Sequence, residues 1–334
     1  MMKKASIVVS DFYKNNRLFD INDPISNKDN CLYGFYHLKK ELSEQNINLS
    51  THDINAIHDS EIVLFSDMPR AIPRKAPDQR FYLLAVESIA VHPINFQVQR
   101  YKHFEKVFTW KDDLVDGKKI IKINYSFLFP SKPLGHSEQK SKLISLMANR
   151  KKSRHKLELY TERIKAINWF EKNHPDEFDL YGAGWDKLHA RSFADKMIKR
   201  LKYKQPVQDQ PYTCYKGIAS PKIPILRNYK FNICYENIRD IPGYITEKIF
   251  DCFFAGCVPV YWGANNVTDH IPKDCFIDKR DFHGYEELYD YLKNMSDKDY
   301  LKYLINIEAF LKSDKAYPFS SECFSKTISE ALLP

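Results

Sequence analysis

A cluster of polar residues between two apolar segments is the part of the sequence best suited to bind a ligand. It contains Glu236, Asn237, Tyr244, Glu247 and Lys248. Carboxylate, amide and phenol groups can bind sugar hydroxyls, and an ammonium group can bind phosphate. A lone lysine is more often a solvated side chain, but this concentration of polar groups predicts a ligand that carries both phosphate and hydroxyl groups.

The surrounding pattern predicts a strand–helix–strand unit, with a strand at 231–235, a helix at about 246–255 and a strand at 257–262. Gly243 is predicted to open the helix and Gly256 to close it. In such units the helix N-terminus lies beside the carboxyl end of the preceding strand, where α/β sheets bind ligands. The helix dipole disfavours Lys248 in the first turn, so we expect a bound anion to relieve this conflict. Loss of the lysine should then leave the unliganded protein as stable or slightly more stable.

A longer ordered set of residues encloses this cluster: YKF at 229–231, YEN at 235–237, GYITEK at 243–248, GCVPVYWG at 256–263, FI at 276–277 and DF at 281–282. This set closely resembles the donor-site signature of the α1,3/1,4-fucosyltransferase family. The sequence differs from that pattern at Tyr235, where Phe is usual, and in its own insert at 238–242. Neither difference removes a group that could bind phosphate or sugar.

The resemblance implies a GT-B arrangement, in which two Rossmann-like α/β domains face a cleft, and GDP-β-L-fucose as the donor. It implies that Asn237, Tyr244 and Glu247 contact ribose, phosphate or fucose hydroxyls, with Glu236 and Thr246 as supporting residues. Lys248 would bind the diphosphate. The acceptor implied is a glycan hydroxyl, by default that of GlcNAc in a galactosylated chain through an α1,3 linkage. Transfer would invert the configuration of the sugar.

Glu87 is the candidate catalytic base. It directly follows the apolar run 81–86, so its carboxylate should lie at the carboxyl end of a buried strand. An exposed glutamate in a turn is an equally good interpretation of the residues alone. The resemblance favours the base, because the family's catalytic glutamate follows a similar strand and precedes a serine and a proline-containing loop, here Ser88 to Pro93.

Arg163 is the second candidate phosphate ligand. It lies early in a predicted helix at 157–173, and a guanidinium group can bind two phosphate oxygens at once. The alternative is a surface ion pair with Glu158 or Glu162, which would contribute little to stability. The resemblance places a phosphate-binding arginine on the matching helix, and Arg163 fits it better than Arg154.

The pattern of the remaining segments predicts α/β architecture with parallel strands. Strands are expected at 6–9, 62–66, 81–86, 107–109, 120–123, 143–147 and 178–181, and a helix at 32–44. We predict an acceptor-binding domain at 1–135, a linker at 135–141, a GDP-fucose-binding domain at 142–310 and a helical tail at 311–334.

No metal or other cofactor is predicted. The only Asp-x-Asp pattern, Asp297 to Asp299, follows Ser296 and is typical of helix capping. Phosphate loops of the GxGxxG or GxxxxGK[ST] type are absent, and only 10 of 334 residues are glycine, so cationic side chains must bind the phosphates.

The composition bears on partners and location. The net charge of +8 is concentrated at 140–156 and 196–204, but no nucleic-acid-binding motif accompanies it. Seven cysteines without paired spacing favour reduced thiols, and residues 1–10 favour a first strand over a signal peptide. We therefore expect a cytoplasmic protein, with weak peripheral contact to the inner face of a membrane through the basic clusters as a further expectation.

The sequence is compatible with two other functions. One is transfer of a different GDP-linked sugar by the same phosphate-binding groups. The other is a non-catalytic module that binds a glycan or a nucleotide, although a candidate base and two candidate phosphate ligands speak against it.

Overall fold

The computed structural model describes residues 2–131, 140–186 and 212–333. Within these ranges the chain forms two parallel β-sheets, whose strands are connected through α-helices, 3-10 helices and loops. Most of the predicted linker at 135–141, and the basic cluster at 196–204, lie outside the described residues. In the described part, no helix is both long enough and apolar enough to span a bilayer.

The first sheet has six strands in the order β2-β1-β3-β4-β5-β6. They are β1 (Lys3–Val8), β2 (Ile47–Thr51), β3 (Ile62–Ser66), β4 (Arg80–Ala85), β5 (Lys106–Thr109) and β6 (Ile120–Lys122). Consecutive residues Ile62 to Phe65 of β3 are all 0–1% exposed. Continuous burial on both faces is typical of parallel sheets, which explains why this run is apolar throughout rather than alternating.

The second sheet has five strands in the order β11-β10-β9-β7-β8. They are β7 (Lys142–Met147), β8 (Phe178–Tyr181), β9 (Tyr229–Tyr235), β10 (Val258–Trp262) and β11 (Ile277–Asp278). Strands β7 and β9 are neighbours without being consecutive in sequence. The chain therefore reverses its winding between them, and this switch point is where open α/β sheets bind ligands.

Eight α-helices, numbered over the described residues, complete the architecture. They are α1 (Tyr33–Glu44), α2 (Tyr160–Asn173), α3 (Lys222–Leu226), α4 (Glu247–Ala255), α5 (Val267–His270), α6 (Tyr285–Lys293), α7 (Asp297–Leu311) and α8 (Ser321–Leu332). The predicted α/β fold with two Rossmann-like domains is confirmed. The exact domain boundaries stay predictions, although the strands of the first sheet end at Lys122 and those of the second begin at Lys142.

The C-terminal helix α8 packs on the first domain rather than the second. The Phe324 and Phe35 rings lie 5.3 Å apart, and the hydroxyl groups of Ser325 and Ser329 donate hydrogen bonds to the carboxylate of Glu41 at 2.6 and 2.7 Å. The chain thus passes from the first sheet to the second and back again.

The two segments that connect the domains, one at Phe127 and the other at 319–321, are hydrogen-bonded to each other. The Phe127 N–H donates to the carbonyl of Phe319, and the Ser321 N–H donates to the carbonyl of Phe127, both at 2.9 Å. The Phe127 ring also stacks on Phe250 of α4, with 4.5 Å between the ring centroids.

Gly243 does not open helix α4, contrary to the prediction. The helix begins at Glu247 with Thr246 as its N-cap, and Gly243 lies in the preceding loop with φ at +79°. A side chain at this position would overlap the carbonyl oxygen of Trp110 in the first domain. The glycine is therefore required by close contact between the domains. Gly256 does end the helix in a left-handed conformation, as predicted.

A polar contact between the domains lies beside this glycine. One carboxylate oxygen of Asp112, in the first domain, accepts hydrogen bonds at 2.8 Å from Asn266 and from Nε2 of His270 in the second. The Asn266 side chain in turn accepts a hydrogen bond from the Gly243 N–H, also at 2.8 Å. The loop before α4 is therefore held by groups from both domains.

Candidate active site

A cavity of about 210 Å³ lies at the carboxyl ends of β7, β8 and β9, at the switch point of the second sheet. Its charged lining comprises the cations Lys151, Arg163, Lys222 and Lys248 and the carboxylates Glu247 and Asp251. Four cations facing two carboxylates make the cavity attractive to an anionic ligand, and its partial enclosure strengthens that attraction.

Arg163 reaches the cavity from the first turns of α2. Its side chain is 4% exposed, and one terminal guanidinium nitrogen donates to the carbonyls of Tyr235 and Glu236 at 2.6 and 2.8 Å. The same nitrogen donates to the side-chain oxygen of Asn237 at 3.2 Å. These contacts fix the guanidinium at the end of β9. No other nitrogen of this group has a hydrogen-bond partner among the described residues, so N–H groups remain for a ligand.

The surface ion pairs considered for Arg163 are not present. Glu158 accepts a hydrogen bond from the N–H of Thr161 at 3.0 Å, and Glu162 pairs with Lys165 at 2.7 Å. The arginine is thus a buried residue of the site, and its position depends on the backbone of a strand more than 70 residues away in sequence.

Lys248 is already paired in the protein without ligand. Its ammonium lies 3.2 Å from a carboxylate oxygen of Glu236 and 3.2 Å from one of Glu247, and it donates to the hydroxyl of Thr246 at 2.9 Å. Burial alone would lower the pKa of Lys248, but the two carboxylates outweigh it and raise the pKa. The prediction that Lys248 needs a bound anion to offset the helix dipole is therefore wrong, because Glu236 and Glu247 already provide negative charge beside it.

Glu236 is the centre of this arrangement and is completely buried. Besides Lys248, it accepts hydrogen bonds from the N–H and the hydroxyl of Thr246 at 2.8 and 2.7 Å. Gly263 makes room for it, because a side chain there would come within 2.5 Å of the Glu236 Cγ atom. Glu236 and Thr246 thus hold the ammonium group of Lys248 in place. Neither residue is part of the cavity lining.

Glu247 and Asp251, one turn apart on α4, have opposite pKa shifts. Burial disfavours the ionised form of Glu247, but Lys248 and Lys222 outweigh it and lower its pKa to about 2. For Asp251, burial outweighs the attraction of Lys222, whose ammonium lies 2.6 Å away, and raises the pKa to about 7. The cavity therefore holds one permanent carboxylate and one that titrates near neutral pH.

Tyr244 lies behind the cavity, in the contact between the domains. It is 1% exposed, with its ring centroid 4.7 Å from that of Trp110 and 6.3 Å from that of Tyr125. Its hydroxyl accepts a hydrogen bond from the side chain of Asn237 at 3.3 Å. Asn237 lines the cavity, whereas Tyr244 is not among its lining residues, and its contact with the ligand stays a prediction.

Glu87 follows β4 at the carboxyl edge of the first sheet and is half-buried, which does not agree with an exposed turn residue. One carboxylate oxygen of Asp67 accepts the N–H groups of Val86 and Glu87, both at 3.0 Å, and so fixes this turn. No side chain among the described residues donates a hydrogen bond to the Glu87 carboxylate. That group is positioned by its backbone and left free to accept a proton.

Burial raises the pKa of Glu87, and the negative charge of Asp67 raises it further. The charges of Lys151, Glu247 and Lys248 also act on this pKa, although all three belong to the second domain. The carboxyl group of Glu87 therefore lies close enough to the cavity across the cleft to be influenced by its charges.

Lys151, Lys222 and Asp251 line the cavity but were not among the predicted site residues. A signal existed for Lys151, since it belongs to the basic cluster at 140–156 and follows the strand predicted at 143–147. No local signal marks Lys222 or Asp251, because only the packing of α3 against α4 brings them to the site.

No group of three or more metal-ligand side chains occurs in the ranges that the structure covers. Asp297 and Asp299 lie in the first turn of α7, where the Ser296 hydroxyl accepts a hydrogen bond from the Asp299 N–H at 3.1 Å. The helix-capping interpretation of this Asp-x-Asp pattern is confirmed.

The two facing Rossmann-like domains, with a cationic cavity at the carboxyl edge of one sheet and a free carboxylate across the cleft, define a GT-B fold. A crystal structure of an α1,3-fucosyltransferase with GDP-fucose has the same fold: it matches 100% of this chain and 91% of its own, with a TM-score of 0.55 at 15% identity.

Residues 138–316, more than half of the chain, match the family model "glycosyltransferase family 10 (fucosyltransferase) C-term". The chain therefore belongs to glycosyltransferase family 10, and the predicted family is confirmed.

Two curated relatives illustrate the similarity. The alpha-(1,3)-fucosyltransferase FucT of Helicobacter pylori is 34% identical over 110 residues, which cover 32% of this chain and 23% of that protein. The 4-galactosyl-N-acetylglucosaminide 3-alpha-L-fucosyltransferase 9 of Bos taurus is 40% identical over 129 residues, which cover 36% of this chain and 34% of that protein. The match thus spans 23% and 34% of the length of these two relatives.

Proposed function

We propose that this chain transfers L-fucose from GDP-β-L-fucose to a hydroxyl group of a glycan acceptor, with inversion at the anomeric carbon. The observation that carries this proposal is the placement of Glu87 across the cleft from the cavity lined by Arg163 and Lys248. Membership of family 10 supports fucose as the transferred sugar. The three residues supply the two functions that direct displacement requires, a base and stabilisation of the leaving group.

The proposed reaction occurs in a single displacement. The acceptor hydroxyl gives its proton to the Glu87 carboxylate while its oxygen bonds to the anomeric carbon of fucose. The bond from that carbon to the β-phosphate oxygen breaks, and GDP leaves with the bonding electron pair. The raised pKa of Glu87 suits this role, because a general base works best when its pKa approaches the operating pH.

The negative charge that develops on GDP is stabilised by the cations of the cavity. Arg163 presents a fixed guanidinium, which can bind two phosphate oxygens, and Lys248 presents an ammonium that donates hydrogen bonds to Thr246 and Glu247 and pairs with Glu236. Lys151 and Lys222 add positive charge in the same lining. Four cations in one lining can meet the electrostatic need of a departing diphosphate, so we propose that transfer does not depend on a metal ion.

For the acceptor we propose GlcNAc within a galactosylated chain, linked α1,3. The printed name of the bovine relative, a 4-galactosyl-N-acetylglucosaminide 3-alpha-L-fucosyltransferase, supports this choice. The first domain, which would bind the acceptor, lies outside the segment that matches the family model.

The test is incubation with GDP-fucose and a panel of β-galactosyl-GlcNAc acceptors, with products identified by mass spectrometry. GDP-mannose serves as the alternative donor, and Glu87→Gln as the variant without a base. We expect a fucosylated product with the wild type, and a rate reduced roughly 10²–10⁴-fold in Glu87→Gln with GDP-fucose affinity retained. Transfer only from GDP-mannose, or binding of GDP without any transfer, would overturn the proposal.

A further inference from the structure

Asp251 is the carboxylate in the cavity lining whose negative charge is least compensated. Its side chain is 11% exposed, and its one hydrogen-bond partner among the described residues is the Lys222 ammonium, at 2.6 Å. Glu247, the other carboxylate of the lining, contacts Lys248 at 3.2 Å and is also influenced by the charge of Lys222. The mechanism proposed above uses the cations of this cavity and gives Asp251 no role.

Lys222 is shared between Asp251 and a carboxylate of the first domain. Asp29, in the connection between β1 and α1, accepts a hydrogen bond from the Lys222 N–H at 3.1 Å, and its other carboxylate oxygen lies 3.8 Å from the ammonium. The charge of Glu247 acts on Lys222 as well. Because three carboxylates share one ammonium group, part of the negative charge of Asp251 stays uncompensated.

A diphosphate in the cavity would increase this imbalance. It brings about two or more negative charges to the same lining. It also attracts Lys222 and displaces water, and each of these effects disfavours an ionised carboxylate beside it. The cavity can therefore bind a diphosphate more tightly if Asp251 is neutral.

The neutral form of Asp251 also has a hydrogen-bonding group that the ionised form lacks. An ionised carboxylate and a diphosphate both present acceptor oxygens only, so they cannot hydrogen-bond to each other, whereas the neutral acid has an O–H group that can donate to a phosphate oxygen. Burial raises the pKa of Asp251 to about 7, although Lys222 opposes the shift. The change of protonation state is therefore accessible near neutral pH.

We propose that Asp251 binds the donor diphosphate as a neutral carboxylic acid. On binding, its carboxylate takes up one proton from solvent, and the resulting O–H group donates a hydrogen bond to a phosphate oxygen. Lys222, no longer paired with an ionised Asp251, directs more of its charge to the ligand. Asp29 is a positioning residue, which holds Lys222 at the cavity from the first domain. This inference rests on the proposed function, because it assigns a role within the same donor site.

The proposal predicts that GDP affinity falls as pH rises. Below the pKa of Asp251 in the free protein the proton is already present, so binding takes up none. Above that pKa, each pH unit lowers the affinity up to about tenfold, because one proton must be supplied on binding. GDP itself contributes little to this trend between about pH 7.5 and about pH 9, since a phosphate group completes its ionisation with a pKa of about 6.

The test is calorimetric titration of GDP into the whole chain at several pH values across this range, in Hepes and in Tris. These buffers release protons with different enthalpies, so the difference between the observed binding enthalpies gives the number of protons taken up. At about pH 8 we expect uptake that approaches one proton in the wild type and falls close to zero in Asp251→Asn, whose amide stays neutral.

Three variants separate the parts of the proposal. The GDP affinity of Asp251→Asn should stay within about threefold over the range and exceed that of the wild type at the highest pH. Asp251→Ala is also neutral but cannot donate a hydrogen bond, so it should bind GDP about tenfold more weakly than Asp251→Asn. Asp29→Asn should shift the fall in affinity to lower pH, since the charge of Asp29 helps to raise the pKa of Asp251. Asp78→Asn, an exposed substitution in the first domain, is the matched control.

A wild-type GDP affinity that does not change with pH, or equal proton uptake in the wild type and Asp251→Asn, would overturn the inference, because Asp251 would then stay ionised and share Lys222 with the ligand. Equal affinities of Asp251→Asn and Asp251→Ala would overturn the hydrogen bond, and a wild-type pH dependence in Asp29→Asn would overturn the role of Asp29. If the wild type binds no GDP at any of these pH values, the proposed function itself has failed, because its donor is not bound.

Discussion

The ammonium group of Lys248 lies 3.2 Å from the carboxylate of Glu236, a side chain with no exposed surface. The lysine therefore has two roles: it lines the cavity proposed to bind the donor, and it neutralises a buried charge. Removal of one partner from a buried ion pair is costly because the other charge is left uncompensated.

Lys248→Ala should lower both GDP affinity and the stability of the unliganded protein. GDP affinity should fall roughly tenfold to a hundredfold, since a charge-assisted contact to the diphosphate is lost. The free energy of unfolding should fall by about 3 kcal/mol, because Glu236 loses its cation. Calorimetric titration and denaturant unfolding measure the two effects.

The double variant Glu236→Gln/Lys248→Met separates these roles. It removes both charges, so stability should recover in large part while GDP affinity stays low. A melting temperature of Lys248→Ala equal to that of the wild type would show that the buried pair does not contribute to stability.

Arg163→Lys should weaken GDP binding nearly as much as Arg163→Ala, roughly tenfold, although it keeps the positive charge. An ammonium group cannot bind two carbonyls at the end of β9 and phosphate oxygens at the same time, as the planar guanidinium can. Arg227→Ala, at an exposed position, is the control. Wild-type affinity in Arg163→Lys would mean that charge alone is needed.

Asp67→Asn should move the acidic limb of the pH–rate profile to lower pH. Glu87 must be ionised to act as a base, and the charge of Asp67 is one cause of its raised pKa. Without that charge the pKa moves back towards the ordinary value of about 4.3, so activity persists further into acid. Asparagine keeps the acceptor oxygen for the Val86 and Glu87 N–H groups, and it tolerates the φ of +67° at this position.

This profile should be measured as kcat/KM for the acceptor at saturating donor, so that titration of Asp251 in the donor cavity does not contribute. Asp314→Asn, an exposed substitution, controls for the loss of one negative charge. An acidic limb that stays at its wild-type position would exclude Asp67 as a determinant of the base.

Treatment with EDTA should leave the transfer rate within about twofold of the untreated enzyme. In the proposed mechanism four cationic side chains stabilise the departing diphosphate: Arg163, Lys248, Lys151 and Lys222. A divalent ion would supply the same stabilisation a second time. Rates are compared before and after chelation and again after addition of Mn²⁺. Complete loss that Mn²⁺ restores would assign this stabilisation to a metal ion.

Gly243→Ala should destabilise the protein far more than Gly117→Ala. Both glycines have a left-handed backbone, with φ at +79° and +69°, so both substitutions cost about 1–2 kcal/mol in backbone strain. Only at Gly243 does the added methyl group overlap another domain, at the carbonyl of Trp110, whereas Gly117 has open space around it. Denaturant unfolding of both variants gives the difference, and equal losses would contradict the role assigned to this contact.

The sequence allowed prediction of four of the five strands of the second sheet and of the segment at 229–263, because local information is sufficient there. The apolar run at 231–235 and the left-handed position at Gly256 define their elements without reference to distant residues. Strand β2 was not predicted, since Asn48, Ser50 and Thr51 interrupt its apolar residues in a short segment.

The contacts that organise the site could not be predicted, because they join residues distant in sequence. Tyr244 carries a sugar-binding functional group, yet Trp110, more than 130 residues earlier, covers its ring. Lys248 has the sign of a phosphate ligand, but its pairing with Glu236 depends on how the loop at 237–246 folds back. Residue type indicates what a side chain can do, and only packing decides which of its contacts are already occupied.

The hydrogen-bonded crossing at Phe127 and Phe319–Ser321 restricts how the cleft can open. Two segments joined by a pair of hydrogen bonds resist twisting, because twisting would break both bonds, whereas bending across the pair would preserve them. We therefore expect the two domains to rotate relative to each other about a single axis at this contact. Because the Phe127 ring stacks on helix α4, the pivot lies against the helix that carries Glu247 and Lys248, so these two residues should move least when the domains rotate.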